Sequence, residues 1–133
     1  NNIQYSYNGI TWTQLTVPDG DLTGITFSES LGMFVAVGFI SANNIQYSYN
    51  GITWTQLTVP NGNLRGITFS EKFNVFIAVG SDASNNIQYS PDGISWTQLT
   101  VPDGDLYGIT FSDTLEMFIA VGASATNNIQ HTL

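Results

Sequence analysis

Apolar and polar residues follow one another along this chain in an order that returns at a fixed interval. The string NNIQ begins at Asn1, Asn43, Asn85 and Asn127, so the steps from 1 to 43, from 43 to 85 and from 85 to 127 are each 42 residues. Within a repeat, two short runs rich in Ile, Tyr, Trp and Thr (NNIQYSY and ITWTQLT in the first copy) flank an Asn-Gly or Asp-Gly pair. Such a pair between β-prone runs is the strongest short-range signal for a tight hairpin. A second pair, LTGITFS and MFVAVG, flanks ESLG. Each repeat therefore predicts four strands of about five to seven residues, and no stretch has the length and 3.6-residue spacing of an amphipathic helix. The segments MFVAVG, VFIAVG and MFIAVG are apolar without interruption, which predicts a strand covered on both faces. In contrast, ITWTQLT carries Thr11, Thr13 and Thr16 and suits an outer strand with a wetter face. A period in the forties built from strands predicts an all-β repeat architecture, with propeller blades among the standard cases.

Composition narrows the partners. The chain has 133 residues, 42% of them hydrophobic and 13% aromatic, which is ample for one domain with a core. Only 9% are charged, so Thr, Ser, Asn and Gln must form most of the wetted surface. The formal charge is −8, and Arg65 and Lys72 are the only lysine or arginine residues, too few to neutralise phosphates; nucleic acid and anionic membrane are poor partners. Without cysteine there are no disulfides, thiolate nucleophiles or thiolate metal sites. The longest apolar run, MFVAVGFI at 33 to 40, is too short to span a bilayer as a helix. The chain begins at Asn1 with no Met or signal-like segment, so any leader is expected outside it. The expectation is a soluble protein, extracellular or cytoplasmic.

QYSPDGISW, at 88 to 96, and QYSYNGITW, at 4 to 12 and 46 to 54, are three copies of one turn: Ser6, Asn8, Gly9 and Trp12; Ser48, Asn50, Gly51 and Trp54; Ser90, Asp92, Gly93 and Trp96. Asp92 could serve as a catalytic acid, but Asn8 and Asn50 could not, whereas Asn and Asp share the chemistry of accepting bonds from turn amides. The turn is therefore expected to be structural, with its Trp residues in the core rather than acting as sugar platforms.

Together with LYGITFSDTLEMFIAVG, at 106 to 122, this turn resembles bacterial-type blades of the Asp-box (BNR, sialidase-type) β-propeller family, in which a Leu-x-Gly strand, a Phe-x-Ala-Val-Gly strand and a Ser-x-Asp-Gly-x-x-Trp turn recur. The turn here is one residue shorter than the usual Asp-box. The resemblance implies that the turn joins the third and fourth strands of a blade. On that phase, 22 to 59 and 64 to 101 are blades, 1 to 17 is an outer half-blade, and 106 to 133 is the inner part of another.

Three blade equivalents fall short of the roughly four to eight at which propellers close. Two copies would supply six, as a C2 homodimer in which strands 106 to 122 of one chain pair with strands 1 to 16 of the other. Residues 127 to 133 duplicate the strand that begins at Asn1, so the two either compete for one slot or add a strand.

Candidate chemistry is sparse. Asp19 with Asp21, or Asp103 with Asp105, could offer oxygens to Ca²⁺, but the middle copy has Asn61 and Asn63; a plain turn is expected, with no metal and no cofactor. The resemblance raises sialidase activity, which needs an arginine triad, and this chain has Arg65 alone. His131 is the only histidine and reads as a tail residue. No carboxylate pair stands out for glycoside hydrolysis. Variation between copies is more informative. Positions 19, 21 and 23, their counterparts, and 39 to 42 against 81 to 84 fall on one rim of the inferred ring, while 30 to 33 against 72 to 75 fall on the other. The candidate ligand surface is Asp19, Asp21, Thr23, Asn61, Asn63, Arg65, Asp103, Asp105 and Tyr107. The expected function is a non-catalytic binding module, lectin-like or protein-binding. The alternatives are a hydrolase (or its remnant) using loop carboxylates, and a recently duplicated scaffold without a ligand.

Overall fold

The computed structural model describes residues 3–18, 20–39, 44–57, 63–81, 86–99, 104–123 and 129–132. All regular structure in them is antiparallel β-sheet. A two-stranded hairpin, β1 (Gln4–Tyr5) and β2 (Thr13–Gln14), precedes a four-stranded sheet ordered β3 (Leu22–Ser28), β4 (Met33–Gly38), β5 (Ile45–Ser48), β6 (Thr55–Leu57). The next sheet repeats that order with β7 (Leu64–Ser70), β8 (Val75–Gly80), β9 (Ile87–Ser90) and β10 (Thr97–Leu99). The last has β11 (Leu106–Ser112), β12 (Met117–Gly122) and β13 (Ile129–Thr132). First strands lie side by side, β3 against β7 and β7 against β11, so the sheets stack like wedges around their first strands.

Glycine sets how closely they approach. A Cβ on Gly24 would sit 3.2 Å from both the Arg65 carbonyl oxygen and Gly66 Cα, and one on Gly66 would sit 3.0 Å from the Tyr107 oxygen and 3.2 Å from Gly108 Cα. The core runs through the second strands as well. Val35, Val37, Phe76 and Val79 are fully buried, matching the unbroken apolar run of those segments.

Outer strands are shorter than the pattern predicts, two to four residues in β1, β2, β5, β6, β9 and β10. The turn between third and fourth strands replaces ladder bonds with side-chain bonds. In the first complete sheet the Ser48 hydroxyl accepts from the Gly51 amide at 2.9 Å and donates to Asn50 Oδ1 at 3.2 Å. Asn50 Oδ1 also accepts from the amides of Ile52 and Thr53 at 2.9 and 2.8 Å. Gly51, at φ 73°, takes the left-handed conformation the turn needs, and Trp54 Nε1 donates back to its carbonyl at 3.1 Å. The copies built on Asn8 and Asp92 make the same bonds.

Trp12 departs from the expectation of three core tryptophans. Trp54 is 8% exposed and stacks 6.3 Å from Phe34 of its own sheet, while Trp12 is 57% exposed. The reason is positional: among the described residues β1 and β2 form a two-stranded sheet of their own, without the first and second strands that lie beneath Trp54 in its sheet. The hairpin packs Ile3 and Leu15 against Ala36 and Trp54 of the neighbouring sheet instead.

Candidate functional site

One rim of the stack is built by a bulge repeated in each sheet. Pairing runs from Leu22↔Gly38 to Gly24↔Val37, leaving Thr23 as an extra residue; Arg65 and Tyr107 occupy the same place in β7 and β11. A bulge bends its strand and re-aims the side chain it inserts. Just before it, the carbonyls of Asp21, Asn63 and Asp105 accept from the amides of Phe39, Ser81 and Ala123 at 3.3, 2.9 and 2.9 Å. Gly38, Gly80 and Gly122 are required there, since a Cβ on any of them would overlap the carbonyl of Asp21, Asn63 or Asp105. The backbone at 21, 63 and 105 is thereby pinned while the side chains stand exposed.

NNIQ has a role in the same place. Two of its buried amides reach the loops leading into β3 and β11: Gln46 Nε2 donates to the Pro18 carbonyl at 3.2 Å, and Asn86 Nδ2 to that of Gly104 at 2.8 Å. These two bonds offset the cost of burying the donating amides, although among the described residues Gln46 Oε1 and both side-chain polar atoms of Gln88 are buried without a partner.

The three bulge residues behave differently. The Thr23 hydroxyl donates to the Leu64 carbonyl of the next sheet at 3.1 Å. Arg65 reaches back, its guanidinium carbon 4.3 Å from the centre of the Phe39 ring. Tyr107 is half exposed. Asp21, Thr23, Asn63, Arg65, Asp105 and Tyr107 thus share one end of three adjacent first strands; Asp19, Asn61 and Asp103 lie outside the described residues. The Arg65–Phe39 pair is not apparent from either position alone. Its signal is paired exception: Phe39 stands where Ser81 and Ala123 are, and Arg65 where Thr23 and Tyr107 are.

The variable turns on the opposite rim join the sheets. The Glu71 carboxylate accepts from the amides of Glu29 and Ser30, at 2.6 and 3.3 Å, and the Ser30 hydroxyl donates to Asn74 Oδ1 at 3.1 Å. Lys72 pairs with Glu116 of the following sheet. Burial weighs against the Glu71 carboxylate, yet its bonds with Ser30 and Glu29 hold the pKa below the usual value. Asp92 is likewise shifted down: burial opposes the charge, and the Ser95 and Ile94 amides with the Ser90 hydroxyl outweigh it. Both shifts belong to turn geometry. His131 lies exposed in β13. A shallow groove of about 170 Å³ lined by Tyr5, Ser6, Tyr7, Asn8, Thr11 and Thr13 lies on the outer hairpin, away from the rim. Among the described residues, no three His, Cys, Asp or Glu side chains come together as a metal site.

No protein-family model matches the chain, and no curated protein does. Solved structures do. A chain of a nidogen/laminin complex superposes with a TM-score of 0.68 at 15% identity, over 93% of this chain and 48% of that one. The chain thus spans about half the length of the solved chain it matches. At that identity the likeness speaks to fold alone, and that fold is an all-β stack of antiparallel four-stranded sheets of the β-propeller kind.

Proposed function

We propose that this chain is a non-catalytic binding module, in which two copies close a six-bladed propeller and a ligand seats on the rim carrying Asp21, Asn63 and Asp105. The observation that carries the reading is the repeated bulge with its pinned carbonyl, which sets exposed, variable side chains at equivalent points of three neighbouring strands. Rigid scaffold beneath, variation above, is the usual division of labour in binding surfaces. Carboxylates, an amide, a hydroxyl and the phenol of Tyr107 suit a polar ligand, either a glycan or a protein surface. Repetition around a ring would add avidity. The solved neighbour is itself part of a protein–protein complex, which supports a protein ligand. One arginine and one histidine in the whole chain weigh against the catalytic alternatives.

The test is saturable binding on glycan arrays and on a displayed peptide library, with wild type beside an Asp21→Ala/Asn63→Ala/Asp105→Ala variant. Retained fold with lost binding is expected. Undiminished binding by the variant, or glycoside turnover abolished by a single Asp→Asn change, would overturn the reading.

A further inference from the structure

Three repeats make two complete joints between sheets, and the two ends of the chain carry the separate halves of a third. At the complete joints the facing residues are sealed: Val37, Leu64, Val79 and Leu106 are fully buried. At the ends the equivalents are more open: Val121, the equivalent of Val37 and Val79, is 48% exposed, Leu22 is only partly buried, and Ile25 is 57% exposed where Ile67 is 8%. Gly24 and Gly66 each lie against the first strand of the following sheet, whereas among the described residues a Cβ on Gly108 would meet only Val121 of its own sheet, at 3.5 Å. The outer layer is divided in the same way. Trp54 sits against Phe34 and Trp96 against Phe76, but among the described residues Trp12 has no phenylalanine and Phe118 has no tryptophan.

β13 currently holds the edge of β12. It pairs Ala120↔Gln130 and Phe118↔Thr132, the register that β5 uses on β4 with Ala36↔Gln46 and Phe34↔Ser48. It pairs along that edge as fully as β5 does, but no fourth strand follows it in the sheet among the described residues, and Ile129 is exposed where Ile45 is fully buried. The β1–β2 hairpin carries the same Ile-Gln start, at Ile3 and Gln4, and continues into the Ser6–Asn8 turn and Trp12. It is the sequence of β5–β6, which already docks on a strand nearly identical to β12.

We infer that the outer edge of β12 is a docking slot for the β1–β2 hairpin of a second copy, which displaces β13, pairs Tyr5 with Ile119 and seats Trp12 against Phe118. The inference rests on the dimeric ring proposed above and adds the exchange of β13 for the partner's hairpin at its joint. Burial of two exposed faces and a complete ladder favour the exchanged strand, while β13 protects an otherwise bare edge in the free chain. Glu29 of the second copy would then meet the amides of Asp113 and Thr114 as Glu71 meets those of Glu29 and Ser30.

The chain has no cysteine, so engineered pairs report cleanly. Val35→Cys/Tyr47→Cys, placed on the pairing seen within the first complete sheet, is the control showing that this register closes a disulfide. Tyr5→Cys/Ile119→Cys is expected to give a covalent dimer on oxidation, and removal of 127–133 is expected to tighten self-association about tenfold or more by removing the competitor. Dimeric mass with a closing control but no cross-link from Tyr5→Cys/Ile119→Cys would overturn the exchange and leave the dimer standing. A monomer at every concentration would overturn both.

Discussion

Replacing Gly66 by Ala tests the stacking of sheets most sharply, because the new methyl group would point at backbone. Its Cβ would sit 3.0 Å from the Tyr107 oxygen, 3.2 Å from Gly108 Cα and 3.4 Å from Val79 Cγ2. Neither backbone atom can rotate away, so β7 and β11 must separate by a few tenths of an ångström. Overpacking of this kind costs about 1–3 kcal/mol. Gly66 is not in the left-handed region, so Ala also lowers unfolded-state entropy and returns about 0.4–1 kcal/mol. The net expectation is a loss of about 1–2 kcal/mol. Gly108→Ala is the internal control: among the described residues its Cβ meets Val121 alone, at 3.5 Å, so the entropy gain stands unopposed. The two variants should differ by about 2 kcal/mol, or about 5–10 °C in Tm for a chain of this size. Thermal melts followed by tryptophan fluorescence at low protein concentration read that difference. Equal Tm values would refute the argument that first strands touch through glycine. In a closed ring Gly108 gains a neighbour, so the advantage of Gly108→Ala should shrink as concentration rises.

Three further expectations follow from named contacts. Trp54→Ala should cost about 3–5 kcal/mol in urea unfolding, because a buried indole leaves a cavity beside Phe34, while Trp12→Ala, largely exposed, should be nearly neutral in the isolated chain. Asp92 has a lowered pKa, so its stabilising contribution is present above the unfolded value of 3.8 and is lost as pH falls through the lower folded value; in acid titrations Asp92→Asn should blunt that loss and leave Tm at neutral pH unchanged. Glu71→Ala removes an exposed clamp between two turns and should cost about 0.5–1 kcal/mol, diminished by added salt.

Much of the fold is legible in the sequence because its determinants are local. Asn-Gly and Asp-Gly mark the turns, and the Ser48–Asn50 bonding pattern needs only residues within a few positions of one another. The continuous apolar run of MFVAVG and its burial on both faces have one cause, cover from adjacent sheets. The site is less legible because its determinants act between repeats. Nothing near Thr23 announces that residue 23 is a bulge, since that depends on the Asp21 carbonyl being caught by Phe39. Arg65 meets Phe39 from the preceding sheet, and Glu71 reaches the turn at Glu29; both pairs span sheets, beyond what spacing within one copy reveals. Trp12 has the same sequence surroundings as Trp54, yet differs in burial because of its place at the end of the stack.

Closure of one ring by two copies is open to a single mass determination. Light scattering coupled to size-exclusion chromatography should give twice 14.5 kDa, shifted toward monomer when residues 1 to 16 are removed. A mass of 14.5 kDa that persists at high concentration would contradict it.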